Sequence, residues 1–131
     1  MNLLGAAGEE LVLKDELQMP AGISQATLKI NKVKHWVKEN FQRSPRASEA
    51  AAIAGFSRPR FSRFFKQYTG MCFKDYLNFI RIEEATRLLH KTDDTVSGIA
   101  YSCGFNDPQY FNRVFRRLKG VTPGKTRKES C

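Results

Sequence analysis

No apolar run in this 131-residue chain approaches the about 18–20 residues of a membrane-spanning helix, so no membrane partner is expected. The first residues, MNLLGAAGEE, lack the basic region and the apolar length of a secretory leader, which makes a cytoplasmic location the expectation. Cysteine is scarce. Cys72, Cys103 and Cys131 are an odd number without CxxC spacing, which excludes a disulfide framework and a clustered-thiol zinc site and fits reduced thiols. His35 and His90 stand apart from any ligand cluster, so no metal and no cofactor is expected. The sequence offers no Ser/His/Asp set, no paired carboxylates and no phosphate-binding loop, so the expectation is not an enzyme. Nor does any stretch read as a strand.

Positive charge is what the chain has in excess. Its formal net charge is +9, unevenly placed. Residues 1–26 carry Lys14 against Glu9, Glu10, Asp15 and Glu16, a net −3, while the remainder carries 21 basic against 9 acidic residues, a net +12. Four basic residues and no acid lie between Phe56 and Cys72, and from Pro108 to Lys128 inclusive there are seven and no acid. Such a field suits a polyanion, with nucleic acid the first candidate, although basic surface also serves solubility alone.

Helical spacing dominates the pattern, and the expected class is all-α with about seven helices. Residues 1–26 read as an N-terminal linker with a short amphipathic helix broken at Pro20 and Gly22, open to two readings, the remnant of an upstream domain or part of a stand-alone protein. Ile30, Val33, Val37 and Phe41 recur on one helix face. Ser44, followed by Pro45, is expected to cap an Ala-rich helix ending at Ala54, and Ser57 to cap a helix with Phe61, Phe64, Phe65 and Tyr68 inward. The longest pattern, about 73–91, is apolar on two sides, with Phe73, Tyr76, Leu77 and Ile80 on one and Phe79, Ile82, Leu88 and Leu89 on the other. Thr95 or Asp94 is expected to cap the next helix. Asn106 is expected to cap the one after, with Tyr110, Phe111, Val114, Phe115 and Leu118 inside, and VTPGKTRKES leaves room for one last basic turn. The folded domain is placed at 27–128, as a first unit 27–70, a joining helix 71–91 and a second unit 92–128.

One segment is written twice. GFSRPRFSRFFKQYTG at 55–70 returns as GFNDPQYFNRVFRRLKG at 104–120. With one extra residue in the second copy, Gly55, Phe56, Pro59, Phe61, Arg63, Phe65 and Gly70 meet Gly104, Phe105, Pro108, Phe111, Arg113, Phe115 and Gly120. Each copy follows an alanine four residues before the glycine, Ala51 and Ala100. A small alanine lets two helices cross closely, and glycine permits the positive φ of a sharp turn, so each copy reads as a helix-turn-helix.

On these residues the chain resembles the DNA-binding domain of the AraC/XylS family of bacterial transcription regulators, over about residues 28–128. TVSGIAYSCGFNDPQYFNRVFRRLKGVTP follows the family signature most closely, and FKDYLNFIRIEEATRLL, with Arg81 and Ala85, resembles the helix joining its two helix-turn-helix units. The resemblance implies double-stranded promoter DNA as partner, two reading helices in successive major-groove segments, RNA polymerase as a further partner, and transcription activation. A chain of this extent is expected to be monomeric; as a fragment it would lack the main dimerisation surface of a longer, dimeric protein, and a stand-alone regulator of this size is the other reading. A joining helix of about 18 residues, roughly 27 Å at 1.5 Å per residue, leaves room for reading helices about 34 Å apart. The sequence departs from the family pattern at Gly98, near which the family usually has Glu, at Phe61, where it commonly has Leu, and at Ala50, where it has a larger aliphatic.

Helical periodicity separately places Arg58, Pro59, Ser62 and Arg63 outward at the start of the first reading helix, and Pro108, Gln109, Asn112 and Arg113 at the start of the second. These are the expected base-reading residues: Arg bridges guanine O6/N7, Asn or Gln pairs with adenine N6/N7, and proline offers apolar contact. Lys66, Arg116, Arg117 and Lys119 suit phosphates. The competing reading is a helical protein- or RNA-interaction module without sequence-specific DNA binding.

Overall fold

The computed structural model describes residues 24–129, and what the sequence suggests for 1–23 lies outside them. The described residues form seven helices and no strand: α1 (Gln25–Asn40), α2 (Ala47–Ala54), α3 (Arg58–Thr69), α4 (Phe73–Lys91), α5 (Val96–Ser102), α6 (Pro108–Lys119) and α7 (Pro123–Glu129). Among them no helix is long and apolar enough to cross a membrane.

The described chain packs as two compact units. One comprises residues 24–36 and 46–72, the other 37–45 and 73–129. In the first, Ser24 opens α1, its hydroxyl accepting from the Thr27 backbone N–H at 3.0 Å. Ile30 and Val33 of α1 are buried, as are Ala50, Ala51 and Ala54 of α2 and Phe61 and Phe65 of α3. The enlarged Phe61 and the reduced Ala50 are both fully buried, on two helices that pack together. Phe64 and Tyr68, expected inside, lie half-buried.

Ser44 does not cap α2. The cap is Arg46, in extended conformation, and Glu49 reaches back so that its carboxylate accepts from the Arg46 N–H at 2.8 Å. That is half of a capping box, and the Glu49 charge also sits favourably in the first turn.

In the second unit, Ile82, Ala85 and Leu89 of α4 join Ile99, Ala100, Cys103, Phe105, Phe111, Val114 and Phe115 in one buried cluster. The helix read from sequence as a joining element thus packs along α5, α6 and α7. Thr95 caps α5, its hydroxyl accepting from Gly98 N–H at 3.0 Å, so this half of the cap survives without a glutamate at 98. Leu118, expected inside, is 42% exposed. Inward spacing identifies a stripe but not how far its packing partners extend along it. The last basic turn is a helix of seven residues, held where Arg127 donates to the carbonyls of Leu89 and Thr92 at 3.1 and 3.0 Å.

Candidate nucleic-acid interface

Each unit contains a helix, a glycine turn and a second helix, and the turns are built alike. Phe56 N–H bonds to the Ala51 carbonyl at 2.9 Å, and Phe105 N–H to the Ala100 carbonyl at 3.0 Å. The glycines between, Gly55 and Gly104, have φ of 75° and 100°. This is how a helix end satisfies its last carbonyls while the chain turns.

The helices that follow start from different caps. The Ser57 hydroxyl accepts from Arg60 N–H at 3.3 Å, and Pro59 fits in the first turn, where no intrahelical partner is lost. In the second unit the cap is Asp107 and not Asn106: its carboxylate accepts from Gln109 N–H at 3.0 Å, which makes Pro108 the first helical residue. The extra residue of the second copy therefore lies in the turn and not between Pro108 and Phe111. Both α3 and α6 are 12 residues long, each closed by a positive-φ glycine, Gly70 and Gly120. Counted from the helix start, Arg58 matches Pro108, Pro59 matches Gln109, Ser62 matches Asn112 and Arg63 matches Arg113. The two prolines are not equivalent.

Arg58, Pro59, Ser62 and Arg63 are all exposed, as are Gln109, Asn112 and Arg113, while Pro108 is half-buried. Phe61 and Phe65, and likewise Phe111 and Phe115, anchor the opposite face. Lys66, Arg116 and Arg117 are exposed. Lys119 differs, because its ammonium is paired with Glu83 at 2.7 Å.

Cations stand on aromatic rings beside these helix starts, and three of them, Arg60, Lys29 and Lys74, are not among the site residues expected from the sequence. The Arg60 guanidinium lies 5.3 Å from the Phe56 ring centroid and 5.4 Å from that of Phe64, with Lys29 5.1 Å from Phe56. Arg63 lies 5.7 Å from Phe64. In the second unit Arg113 and Lys74 lie 5.6 and 6.0 Å from the Tyr110 ring, which is half-buried. These distances fall within the about 6 Å over which a ring face attracts a cation. A basic residue interleaved with aromatics was the available signal for Arg60. Lys29 and Lys74 carry none, because each is brought to its ring only by the fold.

Behind α6, Arg81 is 8% exposed. Its Nε donates to the Phe41 carbonyl at 2.8 Å and its guanidinium lies 5.4 Å from the Phe105 ring. Burial pulls its pKa down from the usual guanidinium value. A cleft of about 340 Å³ opens between Arg81, Phe105, Asp107, Tyr110 and Arg113. Cys103 is fully buried and packs in the core of the second unit, and burial pushes its thiol up to about 12. Cys72 is exposed.

Two helix-turn-helix units, each offering an exposed, basic helix start, define the class: the DNA-binding region of a helix-turn-helix protein. Comparison with known proteins gives the family. The helix-turn-helix domain family matches residues 50–129. The HTH-type transcriptional activator RhaS of Enterobacter sp. (strain 638) is 32% identical over 117 residues, which cover 89% of this chain and 42% of the relative. The DNA-binding domain of AdpA, solved in complex with a target DNA, is 32% identical with a TM-score of 0.73, over 77% of this chain and 91% of that one. An AraC-type transcriptional regulator from Chromobacterium violaceum is 25% identical with a TM-score of 0.76, over 81% of this chain and 95% of that one. The chain belongs to the AraC/XylS family of helix-turn-helix regulators, and spans about two fifths of the length of the curated relatives it matches.

Proposed function

We propose that this chain binds double-stranded promoter DNA sequence-specifically, as the DNA-binding domain of a cytoplasmic bacterial transcription activator. One observation carries the reading. Two helices of equal length, each behind the same glycine turn, present an exposed arginine at the same position, Arg63 and Arg113, in a region of net charge +12. In this reading each unit places its helix start in a major-groove segment of one duplex, the two segments being successive. Arg58, Pro59, Ser62 and Arg63 face base edges from α3, and Pro108, Gln109, Asn112 and Arg113 from α6. Lys66, Arg116 and Arg117 neutralise phosphates, joined by Lys29, Arg60 and Lys74. Lys119 contributes least, since Glu83 already matches its charge.

The same reading extends to the whole protein. The relative RhaS is named a transcriptional activator, which supports RNA polymerase as a second partner. In this reading the chain itself acts as a monomer on DNA.

Salt dependence and two substitutions test the DNA reading. With about five to seven phosphates neutralised, log K for the selected duplex falls against log salt with a slope of roughly −4 to −6. Arg63→Ala and Arg113→Ala each cost about 1–3 kcal/mol on that duplex and relax preference at one base pair, whereas Arg117→Ala weakens selected and random duplex alike. A flat salt response, with no duplex preferred over another, would favour the protein- or RNA-interaction module instead.

A further inference from the structure

We propose that Tyr110 and Asn78 are positioning residues for Arg113, and that they make the second unit the stricter reader of DNA. The inference rests on Arg113 facing a base pair, as argued above. An arginine on an exposed helix face has many rotamers, and ordering it against a base edge costs the freedom it had before. A side chain already held near its working geometry loses less and tolerates fewer alternative partners.

Tyr110 lies three residues before Arg113, on the same helix face one turn back. Its ring holds the Arg113 guanidinium at 5.6 Å from the centroid. The ring is itself fixed from behind. The hydroxyl accepts from the Asn78 side-chain amide at 3.1 Å, and Asn78, on α4, is 3% exposed, so water scarcely competes for that bond. Phe105 supports the ring at 6.0 Å and 58°. Lys74 shares the platform from 6.0 Å.

The first unit has no such tether. The residue matching Tyr110 is Arg60, a second cation. Arg63 rests instead on Phe64 at 5.7 Å, a ring with no hydroxyl to anchor, and Arg60 occupies the same ring from the shorter distance of 5.4 Å. Equivalent arginines thus stand on unlike supports: each ring carries a second cation, but only that of Tyr110 is tethered to a buried amide.

The test selects duplexes from a randomised pool with the full chain and compares base preference position by position. The base pair whose preference is lost in Arg113→Ala is expected to be the more sharply selected of the two arginine-dependent pairs. Tyr110→Leu should lower preference at that pair about threefold, the order of one exposed cation–π contact. Tyr110→Phe, which keeps the ring and loses the tether, should lower it about twofold, with preference at the Arg63-dependent pair and affinity for random duplex unchanged. Because Asn78→Ala acts through the same hydrogen bond, combining it with Tyr110→Phe should lose no more than either alone. The proposal is overturned if Tyr110→Leu keeps the Arg113-dependent preference, if both tyrosine variants weaken every duplex equally, or if the Arg63-dependent pair is the sharper. A wild-type chain that selects no sequence would overturn the DNA reading itself, an outcome distinct from these.

Discussion

Gly55 and Gly104 stand at the same point of the two helix-turn-helix units, both with positive φ, yet their surroundings differ. A Cβ on Gly55 would meet nothing within 4 Å. A Cβ on Gly104 would lie 2.6 Å from the Phe41 carbonyl oxygen and 2.9 Å from Arg81 Nε. The first glycine is there for its backbone conformation alone. The second is there for that and for space, because the missing side chain is where Arg81 reaches across to Phe41. The aromatic residues after the turns differ in step. Phe105 is buried against Arg81, Tyr110 and Phe111, whereas Phe56 is half-buried between Lys29 and Arg60. A repeated sequence has thus produced one turn clamped at its glycine by a buried arginine and one whose glycine has open space beside it.

The sharpest way to break this comparison is to fill both glycines. Gly104→Ala should cost about 3 kcal/mol, the sum of left-handed strain and an overpacked contact, while Gly55→Ala should cost about 1 kcal/mol. Equal losses in urea unfolding would mean that the Arg81 clamp has no energetic weight. Next in size, Arg81→Met should lose about 2 kcal/mol, within the range of a charge-assisted hydrogen bond, and should lower the extra cost of Gly104→Ala when the two are combined without abolishing it, because the contact with the Phe41 carbonyl remains. Additive losses would separate the arginine from the glycine. Smaller still are the caps. Ser57→Ala and Asp107→Ala should each destabilise by about 1 kcal/mol, with Asn106→Ala near neutral. An Asn106 effect as large as that of Asp107 would return the cap to Asn106. Smallest is a reactivity contrast with no stability cost: a charged thiol reagent at neutral pH should label Cys72 and leave Cys103 intact, as its exposure and the raised Cys103 pKa require.

Much of this could be read in the sequence, because helix starts, glycine turns and inward phenylalanines are local signals. Ser57 and Gly55 announced the borders of their helices. Asn106 and Asp107 are both good caps, and choosing between them needed the preference of proline for the first helical position, which Pro108 supplied. The α2 cap was missed because Glu49 works through a backbone N–H, so the identity of the cap residue, Arg46, gave no sign. The exposed positions of α3 and α6 followed from periodicity. Their supports did not. Asn78 and Tyr110 are 32 residues apart and Arg81 and Phe41 40 apart, and one sequence has no pattern that pairs them.

The central claim is that two units of unlike build each read their own stretch of DNA. It is tested most directly with the selected duplex and two derivatives, each with one of the two preferred segments scrambled. Wild type should bind both derivatives more weakly than the intact site. Arg63→Ala should lose discrimination against scrambling of one segment and keep it for the other, and Arg113→Ala should do the reverse. If both substitutions erased discrimination for the same segment, or neither affected either, the two helices would not be separate readers and the account would be contradicted.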